Sequence, residues 1–446
     1  MEAIRYSEHI KATLKLGTPI IIGQLGIIIL GFADTLMVGR YSTDALAAAS
    51  FVNNIFTLIT ILLMGFSYGI TPLISSLFSR KEYERVGAEL KNALLANSIY
   101  CTLLVIAMLI FYAFIDKMGQ PEHLLPLIKP YYLIILVSMF FVMLFNIMRQ
   151  FTDGIMRTPI AMWILITGNF INIIFNYFLI YGVGFFPEMG LVGAGISTLF
   201  SRILMVVIYA WLFWYGKSLL PYRDGFLKNK INRNGVKSIT KLSFPVSLQM
   251  GMETATFTVS AIMIGWIGAV EMASYQVMVT IGTLGYMFYY GFGAAIAIRI
   301  ASYLGVNDIV NLKRAASSGY KVLLGLVVLA SAVIFFFSEP LISIFTNDEA
   351  VRITCGTLII PLILYQLGDA TQVGYANALR GTSKVMSMMW IALISFVLVG
   401  IPTAYTLGFV VDMGVVGIFL SFSVALFTAG ALFYIQFRKA VKALEP

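Results

Sequence analysis

KSLLPYRDGFLKNKINRNGVKS, residues 217–238, is the longest polar stretch in the chain and is rich in Lys, Asn and Gly. Such a composition reads as a connecting segment, and what it connects is two long apolar tracts. The 446-residue chain is 59% hydrophobic and only 11% charged, against roughly 25% charged residues in an ordinary soluble domain. On both sides of the polar stretch, nearly uncharged runs of about 20 residues recur, each long enough to cross a hydrocarbon core of about 30 Å as a helix. This excludes a water-soluble fold and predicts an all-α polytopic membrane protein.

Hydropathy places six spans before the polar stretch, at about 14–38, 47–76, 92–115, 126–148, 160–183 and 190–215. Six more follow it, at about 241–266, 271–300, 317–337, 353–378, 386–409 and 413–437. The predicted organisation is an N-terminal six-helix lobe over 1–216, a cytoplasmic linker over 217–240 and a C-terminal six-helix lobe over 241–446. Internal similarity supports the division. A shift of 226 lays Lys15, Leu16 and Pro19 on Lys241, Leu242 and Pro245, Gly39 on Gly265, Ala47 on Ala273, Gly65 and Phe66 on Gly291 and Phe292, and Ser76 on Ser302. MGLVGAGIS at 189–197 matches MGVVGIFLS at 413–421 with a shift of 224. Self-similarity of this kind marks a duplicated unit. Six crossings return the chain to its starting side, so the repeats run parallel. Twelve transmembrane helices then form two pseudo-twofold-related six-helix bundles, the arrangement of a rocking transporter with substrate near mid-membrane.

The net charge of +9 follows topology and not a nucleic-acid surface. All but five of the 30 basic residues fall at the chain ends or in the loops after spans two, four, six, eight and ten. The exceptions are Arg40, Lys117, Lys129 and Arg352 on the opposite side, and Arg202 within span six. By the positive-inside rule both termini are cytoplasmic, which requires an even number of spans. The opening MEAIRYSEHIKATLK is charged throughout, and the apolar run behind it is too long for a secretory signal and has no small-residue cleavage site, so the N-terminus is expected to be retained. Cys101 and Cys355 lie in separate apolar runs without metal-ligand spacing and read as packing residues.

Of the 21 acidic residues, the span assignment leaves three inside the apolar runs: Asp34, Glu253 and Asp369. A charge at bilayer depth costs at least about 2.5–3.5 kcal/mol, so such residues face a bundle interior and mark ion or substrate sites. On span seven, Gln249, Glu253, Thr256 and Ser260 recur every three or four residues and share one helix face. On span ten, Tyr365, Asp369 and Gln372 do the same. If these faces converge, Glu253 and Asp369 form a paired-carboxylate site, able to take Na⁺ on oxygen ligands or to share a proton. The N-terminal half offers Asp34 with Asn169, Asn172 and Asn176 on span five and Thr198 on span six. That group reads either as interhelical hydrogen bonding or as a second cation or proton site. At the 226 shift Asp34 meets Ser260 and Glu253 meets Ile27, so the clusters are not copies of each other. Arg202 either pairs with an acid or snorkels. Twenty-two Met residues suit a cavity for varied shapes and equally suit ordinary packing.

The chain has no HExxH, GxSxG or GxxxxGK[ST] pattern, which argues against a hydrolytic enzyme or an ATP-driven pump. No TVGYG filter occurs, which argues against a channel of that type. The expectation is a non-enzymatic transporter without cofactors.

Four stretches carry a family resemblance: LGFADTLMVGR at 30–40, FTDGIMRTPIAM at 151–162 ahead of the Asn-rich fifth span, GMETATFTV at 251–259, and YQLGDATQVGYANALRG at 365–381. With these in order along nearly the whole chain, the protein resembles the MATE (multidrug and toxic compound extrusion) family, in its NorM-like bacterial branch. The resemblance implies a monomeric antiporter of the bacterial inner (plasma) membrane that exports small organic cations, drugs and dyes, in exchange for Na⁺ or H⁺. It implies a cation site in the C-terminal lobe at Glu253, Asp369 and Tyr365, where Na⁺ can bind. It also implies a site in the N-terminal lobe at Asp34, Asn172, Asn176 and Thr198. Asp34, Gln249, Glu253, Asp369 and Gln372 are the candidates to line the substrate cavity. Some relatives carry an acid where this chain has Asn176, which leaves Na⁺ and H⁺ both open there. Two rival readings are a flippase or exporter of a lipid-linked or polar metabolite, disfavoured by the acids and the single Arg202, and a gated channel.

Overall fold

Hydrocarbon offers no hydrogen bonds to the backbone, so a chain of this composition can cross it only with its peptide groups paired internally. The computed structural model describes residues 4–445, and among the described residues the regular structure is helical throughout, without strands. Six long apolar helices occupy the first half: Tyr6–Tyr41, Thr43–Ser79, Tyr83–Ala113, Glu122–Gly154, Thr158–Tyr181 and Gly190–Tyr215. The second half has Arg233–Ile267, Ala269–Gly305, Ile309–Phe336, Met386–Val410 and Gly414–Lys442. Between Ile309–Phe336 and Met386–Val410 lies a pair, Glu349–Thr357 and Ile359–Gly381, bent by 50°. Pro361 accounts for the bend, since it cannot donate to the carbonyl four residues back. Counted as one broken span, the pair completes the predicted twelve. The spans are referred to below by their order in the chain.

The chain separates into two compact units, one of Ile22–Ser247 and the other of the described residues up to Ile21 with those from Leu248 onward. The predicted boundaries at 216 and 241 thus give way to points inside the first and seventh spans, two residues beyond the matched Pro19 and Pro245. The reason lies in the polar ends of these helices, which hydropathy does not register. Arg299 donates to the His9 carbonyl at 2.7 Å and to Thr13 Oγ1 at 2.8 Å. Arg314 donates to the Ile4 carbonyl at 2.7 Å, and Asn311 Oδ1 accepts from the Ile4 N–H at 2.9 Å. In the other unit, Ser247 Oγ donates to the Leu62 carbonyl at 2.8 Å and lies 2.8 Å from Tyr100 OH.

The predicted linker is also more ordered than its composition suggests. Residues 233–240 belong to the seventh span, and Leu220–Lys228 forms a short helix. That helix lies backbone to backbone on the third span, because a Cβ at Gly225 would collide with the Glu84 carbonyl and one at Gly87 with that of Tyr222. Cys101 and Cys355 are both buried and free, as packing residues should be.

The duplication is visible in the backbone. Lys81 and Asn307, 226 apart, both end their helices with positive φ, at 61° and 54°. Each closes the same paired turn: Lys81 N–H to Phe78 O at 2.9 Å and Glu82 N–H to Leu77 O at 3.1 Å, then Asn307 N–H to Leu304 O at 3.1 Å and Asp308 N–H to Tyr303 O at 2.9 Å. This is a Schellman motif, which satisfies carbonyls left over at a helix end. Met156 and Ser383, both at φ 60°, recur in the same way one residue out of register. The repeats part company in the eleventh span. There π-helical stretches Leu393–Gly400 and Thr406–Val410 flank a segment carrying Pro402. The wider turns relieve the clash that Pro makes in an α-helix interior.

Two expectations follow. A left-handed residue with a Cβ costs about 1–2 kcal/mol, least for Asn, so Lys81→Gly should raise the unfolding midpoint of the detergent-solubilised protein, and Asn307→Gly should raise it less. Gly225→Val should destabilise by about 1–3 kcal/mol through overpacking and open the 217–232 segment to limited proteolysis.

Candidate functional site

In each unit buried polar side chains gather around the acids singled out from the sequence. In the N-terminal cluster the first span supplies Asp34, the fifth the asparagines and the sixth Thr198. The Asn176 amide donates to Asp34 Oδ1 and, at 3.0 Å, to Asn172 Oδ1. Asn172 bridges outward. With its nitrogen toward the sixth span it reaches Thr198 Oγ1 and Ser201 Oγ, each at 3.4 Å; turned over, it reaches Asp34 at 2.9 Å while its oxygen accepts from the Thr198 N–H at 3.2 Å. Ser197 Oγ donates to the Asn172 carbonyl at 2.9 Å and fixes the crossing of the two helices. Asn172 and Asn176 are fully buried, so their amides have only each other, Asp34 and the sixth span to satisfy them. Asn169, a turn earlier, is buried beside Gly26 of the first span, and its Nδ2 makes no hydrogen bond. It packs against the cluster without joining its hydrogen bonds.

The C-terminal cluster brings together the seventh, eighth and tenth spans. Gln249 Nε2 donates to Glu253 Oε2 at 2.8 Å, and Gln372 Nε2 donates to the same oxygen at 3.3 Å. Asp369 is 2% exposed and lies on the tenth span with Gln372, whose bond to Glu253 shows that the two expected faces converge. Tyr365, one turn before Asp369 on the tenth span, packs edge-on against Phe257, Phe419 and Phe422. Three buried oxygens here, Asp369 Oδ2, Gln372 Oε1 and Gln366 Oε1, accept no hydrogen bond. Two acids and unsatisfied acceptors on three helices are chemically suited to a small cation or a proton, because either satisfies several oxygens at once. Thr256, grouped with Glu253 by spacing, turns its hydroxyl to the Met252 carbonyl of its own helix at 2.9 Å. Ser260, one turn further, makes no side-chain hydrogen bond.

Spacing alone did not single out four further residues near the clusters. Tyr286 and Tyr289 of the eighth span stand near the C-terminal acids. Tyr131 and Ser138 of the fourth span stand near Arg202 and Asp34. Each is a common residue type in an apolar run, and only packing reveals its neighbours. Among the described residues no group of three or more His, Cys, Asp or Glu side chains is arranged to hold a metal ion.

Comparison with known proteins agrees with this architecture. The chain is 29% identical over 431 residues to a probable multidrug resistance protein NorM of Photorhabdus laumondii, covering 96% of this chain and 95% of that protein. It is 26% identical over 434 residues to the multidrug resistance protein NorM of Vibrio cholerae, with the same coverage. Among solved structures it superposes on an outward-facing multidrug resistance MATE family transporter with a TM-score of 0.87, 19% identity and coverage of 100% and 99%. A eukaryotic MATE transporter superposes with a TM-score of 0.87, 17% identity and coverage of 99% and 100%. The MatE family model matches residues 19–178 and again 245–406, starting 226 residues apart as the internal repeat does. With that model repeated over more than two thirds of its length, the chain belongs to the MatE family.

Proposed function

We propose that this protein is a secondary active multidrug exporter of the bacterial inner (plasma) membrane. It expels small organic cations, drugs and dyes, in exchange for Na⁺ or H⁺, and is not an enzyme. The observation that carries the reading is the pair of acid clusters, one in the interior of each repeat of a MatE chain. Glu253 and Asp369, with Tyr365, Gln249 and Gln372, form the coupling site, and Na⁺ or a proton binds there. Asp34, with Asn172, Asn176 and Thr198, forms the second site, where a cationic substrate finds a carboxylate.

Alternating access needs only that ion and drug favour different conformations or compete for the same charge. A carboxylate cluster meets that need, since loading one cation lowers its affinity for the next. The relatives named for multidrug resistance support the substrate class. The distribution of Lys and Arg supports cytoplasmic termini.

Purified protein in liposomes should extrude a fluorescent organic cation when a Na⁺ or a pH gradient is imposed, and comparing the two gradients identifies the ion. Glu253→Gln, Asp369→Asn and Asp34→Asn should each slow gradient-driven transport about tenfold or more, the size of an ordinary coupling energy; full activity in all three would refute the site. Fusing a reporter that is active only in the cytoplasm to either terminus should give signal, and a periplasm-active reporter should stay silent.

A further inference from the structure

We propose that His9 is a pH-sensitive latch, whose neutral imidazole accepts a hydrogen bond from Arg299 and holds the start of the first span until a second proton on the ring releases it. The site lies within the unit formed by the described residues up to Ile21 and those from Leu248 onward, and the inference does not rest on the function proposed above. His9 is fully buried. One nitrogen of the Arg299 guanidinium donates to the His9 carbonyl and to Thr13 Oγ1, and the other lies 2.5 Å from His9 Nδ1. A guanidinium can only donate, so Nδ1 is the acceptor and the ring proton sits on Nε2. Nε2 itself has no hydrogen-bond partner. The Tyr303 ring covers both groups, its centroid 5.7 Å from that of the imidazole and 5.8 Å from the guanidinium carbon.

Protonating Nδ1 turns the acceptor into a donor and sets two cations face to face in a closed site. The surrounding charges do not offset this. Arg314 of the ninth span adds a second positive charge, anchored beside the ring on the Ile4 carbonyl. The opposing carboxylate is Asp308, and both of its oxygens are engaged by Asn311, through the backbone N–H at 3.0 Å and the side-chain amide at 2.7 Å. Arg5 and Glu8, on the helix of His9 itself, are exposed and of opposite sign. Two arginines thus face one carboxylate that is already committed. The released ring binds the additional proton more readily than the latched one, so falling pH favours release, beginning near the ordinary imidazole pKa of about 6.5.

The test is amide hydrogen exchange on the full chain in detergent, corrected for the intrinsic rate at each pH. Protection of residues 9–13 should fall about tenfold between about pH 7.5 and about pH 5.5, since each unit below the imidazole pKa is worth a factor of about ten. In His9→Asn, whose side-chain oxygen can accept from Arg299 without titrating, protection should be the same at both. Nitrogen NMR of isotope-labelled histidine reads the tautomer directly in the unaltered chain, where His123 is the only other histidine, and should show His9 neutral with its proton on Nε2 at the higher pH. A fall of less than about twofold in the unaltered chain overturns the proposal, as does an equal fall in His9→Asn. So does a His9 ring that is charged, or protonated on Nδ1, at the higher pH, and this reading decides alone should His9→Asn fail to fold.

Discussion

Every polar group in these twelve spans has to be satisfied by the protein, because the surrounding hydrocarbon cannot do it. Most of the chain meets this demand locally. Thr57, Thr102, Thr254 and Thr280 each turn the hydroxyl back to the carbonyl four residues earlier. Longer polar side chains cannot close on their own helix so easily, and they collect where helices meet. The two acid clusters are among the places where collection is incomplete. Asp369 Oδ2, Gln372 Oε1 and Asn176 Oδ1 are buried and accept nothing, which is a cost to stability and an opening for a cation.

Duplication followed by divergence explains why the clusters differ. Backbone devices have been kept in register, as the turns at Lys81 and Asn307 demonstrate, since any helix that must stop needs its last carbonyls satisfied. Side chains have been free to drift. The fifth span carries Asn176, which donates to Asp34, whereas the eleventh carries Pro402 between two π-helical stretches. One repeat therefore builds its site from the first, fifth and sixth spans, and the other from the seventh, eighth and tenth. The C-terminal cluster has two carboxylates, of which Glu253 meets two glutamine amides; the N-terminal cluster has one, Asp34, met by an asparagine amide.

The compact units do not coincide with the halves of the chain. The first and seventh spans each begin in one unit and end in the other, and their polar ends are held by Arg299, Asn311 and Arg314 in one case and by Leu62 and Tyr100 in the other. These contacts involve charged and polar groups beyond the apolar core of each helix. The matched prolines, Pro19 and Pro245, lie two residues before each crossing, where a missing backbone donor weakens the helix.

Hydropathy, charge asymmetry and the 226-residue repeat were enough to read off twelve spans, their pairing into repeats and the three intramembrane acids, because the energetic penalty for a charge or a bare peptide in hydrocarbon is large and local. Helical spacing went further and placed Gln249 with Glu253, and Asn172 with Asn176, since residues three or four apart meet whatever the rest of the fold does. It overreached at Thr256, whose hydroxyl had a nearer partner in its own helix. Only the tertiary structure could bring Gln372 to Glu253, Ser138 to Arg202 and residues 4–13 to the C-terminal unit. Such meetings join residues tens to hundreds apart in sequence, and they are decided by how whole helices pack, which no local pattern of hydropathy or charge encodes.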